Sequence, residues 1–273
     1  MEPASRKRKI YPNDSTGRLM ISLAGRAALV TGGSRGIGAA TVKLFAEAGA
    51  DVVFNFHRNR ESARQVELEA RKHGTRIESL KAELGRMAEA KKLVSYAVRR
   101  LGRLDIVVVN AGIWNAEDAP IEALDEHEWD EMIRVNLKSA YGVTHYAAAQ
   151  MIAQKSGRII VVSSTAGQRG EAFHSHYAAS KGAVISFVKS LATELARHGI
   201  LVNCVAPGWV DTDMSRPVLE TKAGTKFATS TIPLGRVGTA AEIAGPILFL
   251  ASDLATFVTG EVLNINGGAV LCG

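Results

Sequence analysis

Cysteine is nearly absent: Cys204 and Cys272 are the two in 273 residues. That excludes a disulfide framework and gives no thiolate cluster for a metal. Nor does any apolar run reach the about eighteen residues a membrane helix needs, and the amino terminus lacks an apolar signal core. The expected place of action is therefore the cytoplasm, with no membrane association. Low-complexity segments and fixed-period repeats are missing from the body of the chain, which argues against a solenoid or a linker-rich protein. The net charge is only +6, and half of that excess falls in residues 1–20, where Arg6, Lys7, Arg8, Lys9 and Arg18 face Glu2 and Asp14. A short basic arm ahead of a domain is ordinarily solvated, so residues 1–22 are expected to be a disordered tail and no nucleic-acid partner is implied.

What is present is ample apolar material, 47% of the residues, enough for one core over residues 23–273. Apolar runs bounded by turn residues predict strands at 27–31, 51–56, 76–81, 106–110, 158–163, 201–206 and 262–265. Most are continuously apolar rather than alternating, the pattern of strands covered on both faces. With helical stretches between them, they predict a single-domain α/β fold: a Rossmann-type, doubly wound sheet of seven parallel strands with helices on both faces. Ligands of such sheets bind at the carboxyl ends of the strands.

The first strand runs into Gly32-Gly33-Ser34-Arg35-Gly36-Ile37-Gly38 and then into a helix over 37–48. A turn without Cβ atoms lets backbone N–H groups approach a pyrophosphate, and the helix N-terminus adds partial positive charge. The spacing is G-x-x-x-G-x-G, so the glycines alone also fit an ordinary tight turn. Further along, Tyr177 and Lys181 are spaced i, i+4 on one helical face, with Ser164 thirteen positions upstream of the tyrosine. A phenol titrates near about 10, and a neighbouring ammonium favours its anion, so this couple could serve as acid or base near neutrality. A half-buried ring beside a solvated charge would look the same in isolation.

Order along the chain decides between these readings. Thr31 to Gly38, Asn110-Ala111-Gly112, Val135-Asn136-Leu137, Ser164, Tyr177-Ala178-Ala179-Ser180-Lys181 and Pro207-Gly208 follow one another at spacings that resemble the short-chain dehydrogenase/reductase family over about residues 23–268. The resemblance implies a catalytic tetrad of Asn136, Ser164, Tyr177 and Lys181. Tyr177 would protonate a carbonyl oxygen that Ser164 holds. Lys181 would grip the nicotinamide ribose and lower the tyrosine pKa, and Asn136 would hold a water leading to solvent. Ser163 competes with Ser164, but successive strand residues face opposite ways, and the family spacing favours Ser164.

The resemblance also implies cofactor contacts from Gly32, Ser34, Gly36, Ile37 and Gly38, from Asn110, Ala111 and Gly112, and from Pro207, Gly208, Val210 and Thr212. An acid at the end of the second strand would select NAD by bonding the ribose 2′-hydroxyl. This chain has Phe56 there, followed by His57, Arg58, Asn59 and Arg60, with Arg35 in the glycine turn. Guanidinium groups suit a phosphate dianion. The expected cofactor is NADP(H), with Arg35 and Arg58 on the 2′-phosphate and His57 assisting. Glu83, followed by Leu84, stands where the family has an aspartate facing adenine.

Residues 209–235 show little periodicity and contain Pro217, Gly224 and Pro233, as a substrate lid would. Trp114 and Trp209 are candidates for its pocket walls. The glycine turn, Tyr-Ala-Ala-Ser-Lys, Val-Asn-Cys-Val-Ala-Pro-Gly and the terminal Asn-Gly-Gly are similar to β-ketoacyl-acyl-carrier-protein reductases. That resemblance implies reduction of a 3-oxoacyl thioester, a homotetramer, and an acidic carrier docked on basic residues such as Lys155 and Arg197 with His198, although cations at helix ends also simply answer the dipole. A dehydrogenase of small secondary alcohols, sugars or cyclic ketones is the alternative, and a nucleotide-sensing protein that kept the fold but lost catalysis is a second one.

Overall fold

The computed structural model describes residues 21–271. Residues 1–20, with the basic stretch of the expected tail, and Cys272 lie outside the described residues. In chain order the elements are β1 (Ala27–Val30), α1 (Gly36–Glu47), β2 (Asp51–Phe56), α2 (Arg60–Ala70), β3 (Ile77–Lys81), α3 (Met87–Leu101), β4 (Ile106–Val109), α4 (Glu126–Met132), α5 (Ser139–Gln154), β5 (Gly157–Val162), α6 (Ala166–Arg169), α7 (Ser175–Leu195), β6 (Ile200–Pro207), β7 (Val210–Asp211), α8 (Arg216–Leu219), α9 (Lys222–Ser230), β8 (Gly238–Thr239), α10 (Ala240–Ala251) and β9 (Val262–Ile265).

Seven strands form one sheet in the order β3-β2-β1-β4-β5-β6-β9, every pair parallel. The chain winds outward from β1 to β3, then crosses back to β4 on the other side of β1. Loops after β1 and β4 therefore part in opposite directions and leave a crevice between them. Alternate strand residues serve opposite faces. Ala28 and Val30 join a core cluster that includes Phe45 of α1 and Ile247 of α10, while Leu29 joins one that includes Leu93 of α3 and Val188 of α7. Each fully buried Val, Leu or Ile contributes about 2 kcal/mol, which is why uniformly apolar strands suit this two-sided burial.

Helix starts follow local chemistry. Asn59 accepts from Ser62 N (2.9 Å) at α2, and Thr239 with Glu242 forms a reciprocal capping box at α10. The segment 209–235, aperiodic in sequence, holds short regular elements. β7 pairs with β8, and α8 and α9 fill the rest, α9 being capped by Thr221 accepting from Gly224 N. Pieces this short carry too few turns for a periodic signal. Among the described residues, no helix is long and apolar enough to cross a membrane, and no group of side chains is arranged to hold a metal ion.

Candidate active site

The turn after β1 is held from three sides. Asn55 of β2 accepts from Gly32 N (2.8 Å) and donates to Ala82 O (3.1 Å). Thr31 Oγ1 accepts from the backbone N–H groups of Asn110 and Ala111 (2.9 and 3.0 Å). Asn110 Nδ2 returns two bonds to Thr31 O and Gly32 O, so this side chain braces the turn. A Cβ on Gly38 would stand 2.1 Å from Gly32 O, and Gly36 has φ +52 with Thr212 Cγ2 3.3 Å from its Cβ position. Both positions require glycine. No side chain caps the N-terminus of α1, and a dinucleotide pyrophosphate fits such a turn and helix end. Asn55 escaped the sequence reading, and Thr31 entered it only as the first residue of the glycine motif; the signal for both was a polar residue inside or ending an otherwise apolar strand.

Helix α7 brings Tyr177 and Lys181 to the carboxyl end of β5, and both are buried, at 9% and 6% exposure. Lys181 Nζ donates to Val162 O (2.9 Å) and lies 5.8 Å from the Tyr177 ring centroid. Ser164 lies close enough to the Tyr177 hydroxyl to lower its pKa, and it accepts from Ala166 N (3.1 Å). Ser163 points back, donating to Lys181 O (2.8 Å), so adjacent serines take opposite directions. Gly167 of α6 allows this packing: a Cβ there would meet the Lys181 carbonyl carbon at 2.5 Å.

Asn136 sits in a π-helical segment, Ile133–Lys138, between α4 and α5. Wide turns of this kind recur at functional sites. The side chain accepts from Ile113 N (2.8 Å) and donates to Ile113 O (3.0 Å) and Ser180 Oγ (3.1 Å). It thereby ties the loop after β4 to α7. The Cβ position of Gly112 lies 3.1 Å from Asn136 Oδ1 and 3.4 Å from Lys181 Nζ, so this glycine keeps the lysine open to the cleft.

Burial governs the protonation of the pair. It pushes the Tyr177 phenol up to about 12, against the opposing effect of Ser164. It pushes the Lys181 ammonium down to about 8. The lysine expected to make the phenol acidic is not among the groups acting on it: burial and Glu171 raise the phenol, and only Ser164 lowers it. Tyr177 is a protonated donor throughout the neutral range.

One cleft gathers Ile37, Asn110, Gly112, Ser164, Tyr177, Lys181, Pro207, Gly208, Val210 and Thr212. Its further lining includes Ile113, Trp114, Arg169, Glu171, Trp209 and Met214. Trp114 stacks on His174 at 5.1 Å and 22° and meets Trp209 edge-on at 5.8 Å. Gly32, Ser34, Arg35, Gly36 and Gly38 form the adjoining turn and helix start, with Ala111 after β4. Phe56 ends β2 buried; His57 and Arg58 come next and are exposed. Arg35 is exposed too, 3.9 Å from Asp213. Leu84 is buried. Glu83 is committed to Arg134, by a hydrogen bond that holds its carboxyl below the ordinary range, and to Arg86 at 3.1 Å; its acceptor capacity towards adenine is largely taken.

The turn that follows Arg197 and His198 abuts Lys155, since the Cβ position of Gly199 lies 2.8 Å from Lys155 O. These residues precede β5 and β6, however, whereas Ser164 comes after β5. A strand's length, about 20 Å, separates them from the cleft. A carrier docked there would face away from the same chain's catalytic side chains, which corrects that part of the sequence reading.

A doubly wound parallel sheet with a glycine-rich turn after β1 and a Ser-Tyr-Lys constellation at the strand ends, its tyrosine and lysine buried, defines a nucleotide-dependent oxidoreductase. A family profile described as enoyl-(acyl carrier protein) reductase matches residues 32–270. The 3-oxoacyl-[acyl-carrier-protein] reductase FabG of Thermotoga maritima is 40% identical over 249 residues, 91% of this chain and 99% of that protein. A short-chain dehydrogenase from Burkholderia cenocepacia in complex with NADP superposes with a TM-score of 0.84 at 33% identity, over 90% of this chain and 98% of that one. A gluconate 5-dehydrogenase from the same organism, in complex with NADP and tartrate, gives 0.85 at 35% identity over 91% and 96%. The protein belongs to the short-chain dehydrogenase/reductase family.

Proposed function

We propose that the protein reduces the ketone of a 3-oxoacyl thioester to a secondary alcohol, with NADPH as the reductant. The observation that carries this reading is the meeting of the Ser164 and Tyr177 side chains, backed by Lys181, on the wall of one cleft. Names of relatives such as the Thermotoga protein support the thioester; the NADP complexes of the two neighbours, with Arg35 and Arg58, support the cofactor. Gly32 to Gly38 would hold the pyrophosphate, Arg35 and Arg58 the 2′-phosphate, and the 110–112 and 207–212 loops the nucleoside and nicotinamide. Bound there, the reduced nicotinamide supplies hydride to the carbonyl carbon.

The chain's own contribution is to place and protonate the oxygen. Ser164 orients the carbonyl oxygen beside the Tyr177 hydroxyl, which gives up its proton as negative charge develops. The resulting phenolate is costly in a buried site, and the Ser164 hydroxyl together with the Lys181 ammonium offsets that cost. Asn136 fixes the Ile113 backbone and α7 relative to one another, so the two donors stay aligned. Carbonyl, hydride and proton together make the alcohol, and Tyr177 must then recover a proton.

A second reading, reduction or oxidation of a small alcohol, sugar or cyclic ketone, is favoured by the ring-lined wall of Trp114 and Trp209 and by the likeness to a gluconate 5-dehydrogenase. An assay with NADPH and acetoacetyl thioester, beside crotonyl thioester and a panel of alcohols and cyclic ketones, separates them. Turnover of the ketothioester alone is expected; turnover confined to the panel sinks the proposal. We further infer a homotetramer in the cytoplasm, as the family resemblance implies.

A further inference from the structure

We propose that Glu171 is the substrate-selecting group of the cleft: its carboxylate rejects 3-oxo carboxylates and leaves neutral 3-oxo esters and thioesters free to bind. The inference goes beyond the proposed thioester reduction and needs only that carbonyl compounds bind in this cleft. Glu171 is the sole acidic side chain among the lining residues; the cations there are Lys181, on the catalytic helix, and Arg169, which is exposed. Its charge reaches the reacting end, where it opposes ionisation of Tyr177.

The turn that presents Glu171 is built under strain. His174 N donates to Glu171 O (3.2 Å), and Phe173, at the third turn position, has φ +63, a left-handed conformation that ordinarily calls for glycine. The Phe173 carbonyl is pinned by Ala119 N (2.9 Å), while the phenylalanine side chain is half exposed, so packing of that ring does not explain the strain. What the turn achieves is to aim Glu171 into the cleft and slide His174 under Trp114. Strain maintained beside an active site points to function. Burial raises the Glu171 carboxyl above the ordinary carboxylate range, partly opposed by His174 and Arg169. Those two side chains and Tyr177 are the titratable groups that interact with it, and Trp114, Trp209, Met214 and Thr212 along the same cleft carry no charge.

A 3-oxo carboxylate holds its charge two carbons from the ketone, so seating the ketone at Tyr177 brings two negative charges together in a poorly solvated cleft. An ester or thioester carries no such charge. The test compares ethyl acetoacetate with acetoacetate on the NADPH-loaded enzyme, by kcat/KM and, independently of turnover, by tryptophan fluorescence titration. Wild type should prefer the ester, and Glu171→Gln should improve acetoacetate about tenfold while changing the ester little, as expected for removing one like charge at short range. Lowering the pH should narrow the preference in wild type and leave it unchanged in Glu171→Gln. A preference that is the same in both proteins, or no binding of either probe to either protein, overturns the inference. Binding with the expected discrimination but no turnover of the ester would instead count against the ketone reductase reading alone.

Discussion

At the scale of single residues, the side chains that matter are those whose burial conflicts with their charge. Tyr177 is a donor with a pKa near 12, and removing its hydroxyl removes the proton. Tyr177→Phe should lower kcat by about a thousandfold, the size of a general-acid contribution, with NADPH affinity little changed in a fluorescence titration. Lys181 is protonated below about 8 and neutral above it. Because the charged form is the one that can bond ribose hydroxyls and oppose the phenolate, kcat/KM for NADPH should fall as pH rises through about 8. That quantity reports the free enzyme, and a flat profile across this range would remove the lysine from the role. In the proposed reading Arg35 and Arg58 hold the 2′-phosphate. The Arg35→Ala, Arg58→Ala double variant should raise KM for NADPH far more than for NADH, and equal losses would defeat the 2′-phosphate assignment.

Elements contribute by close approach. Helices α6 and α7 touch through Gly167, whose missing Cβ leaves room for the Lys181 backbone. Gly167→Ala should cost about 1–3 kcal/mol by overpacking, and, because the displaced backbone belongs to Lys181, kcat should fall along with the denaturation midpoint. The π-helical turn acts by hydrogen bonds. Asn136→Ala leaves the Ile113 N–H and C=O without their partner, which should cost about 1–3 kcal/mol in chemical denaturation. These contacts join residues far apart in sequence, and nothing in the local pattern around Gly167 announced its role. Asn136 was legible only through family order, because a polar residue inside a helix ordinarily reports nothing.

For the whole molecule, the sheet order puts the proposed catalytic residues and the glycine turn at one end and Lys155, Arg197 and His198 at the other. The parallel arrangement makes that separation unavoidable, since residues entering a strand and residues leaving it lie a strand's length apart. If the protein is a homotetramer, light scattering should give a mass four times the 29.1 kDa of one chain, and a monomer mass would refute it. A carrier protein serving this cleft must approach from the strands' carboxyl ends.

Much of this architecture was already decided along the chain. Continuous apolar runs dictated strands covered on both faces, glycines without room for Cβ dictated the phosphate turn, and i, i+4 spacing put Tyr177 and Lys181 on one face of α7. Tertiary structure alone decided the rest. Whether the phenol is acidic depends on solvent exclusion by α6, the Ile113 loop and β5, and desolvation is a property of the packed surroundings rather than of spacing. The commitment of Glu83 to Arg134, the seat of Asn55 under the glycine turn and the aim of Glu171 into the cleft likewise arise from segments that meet only once the sheet has closed.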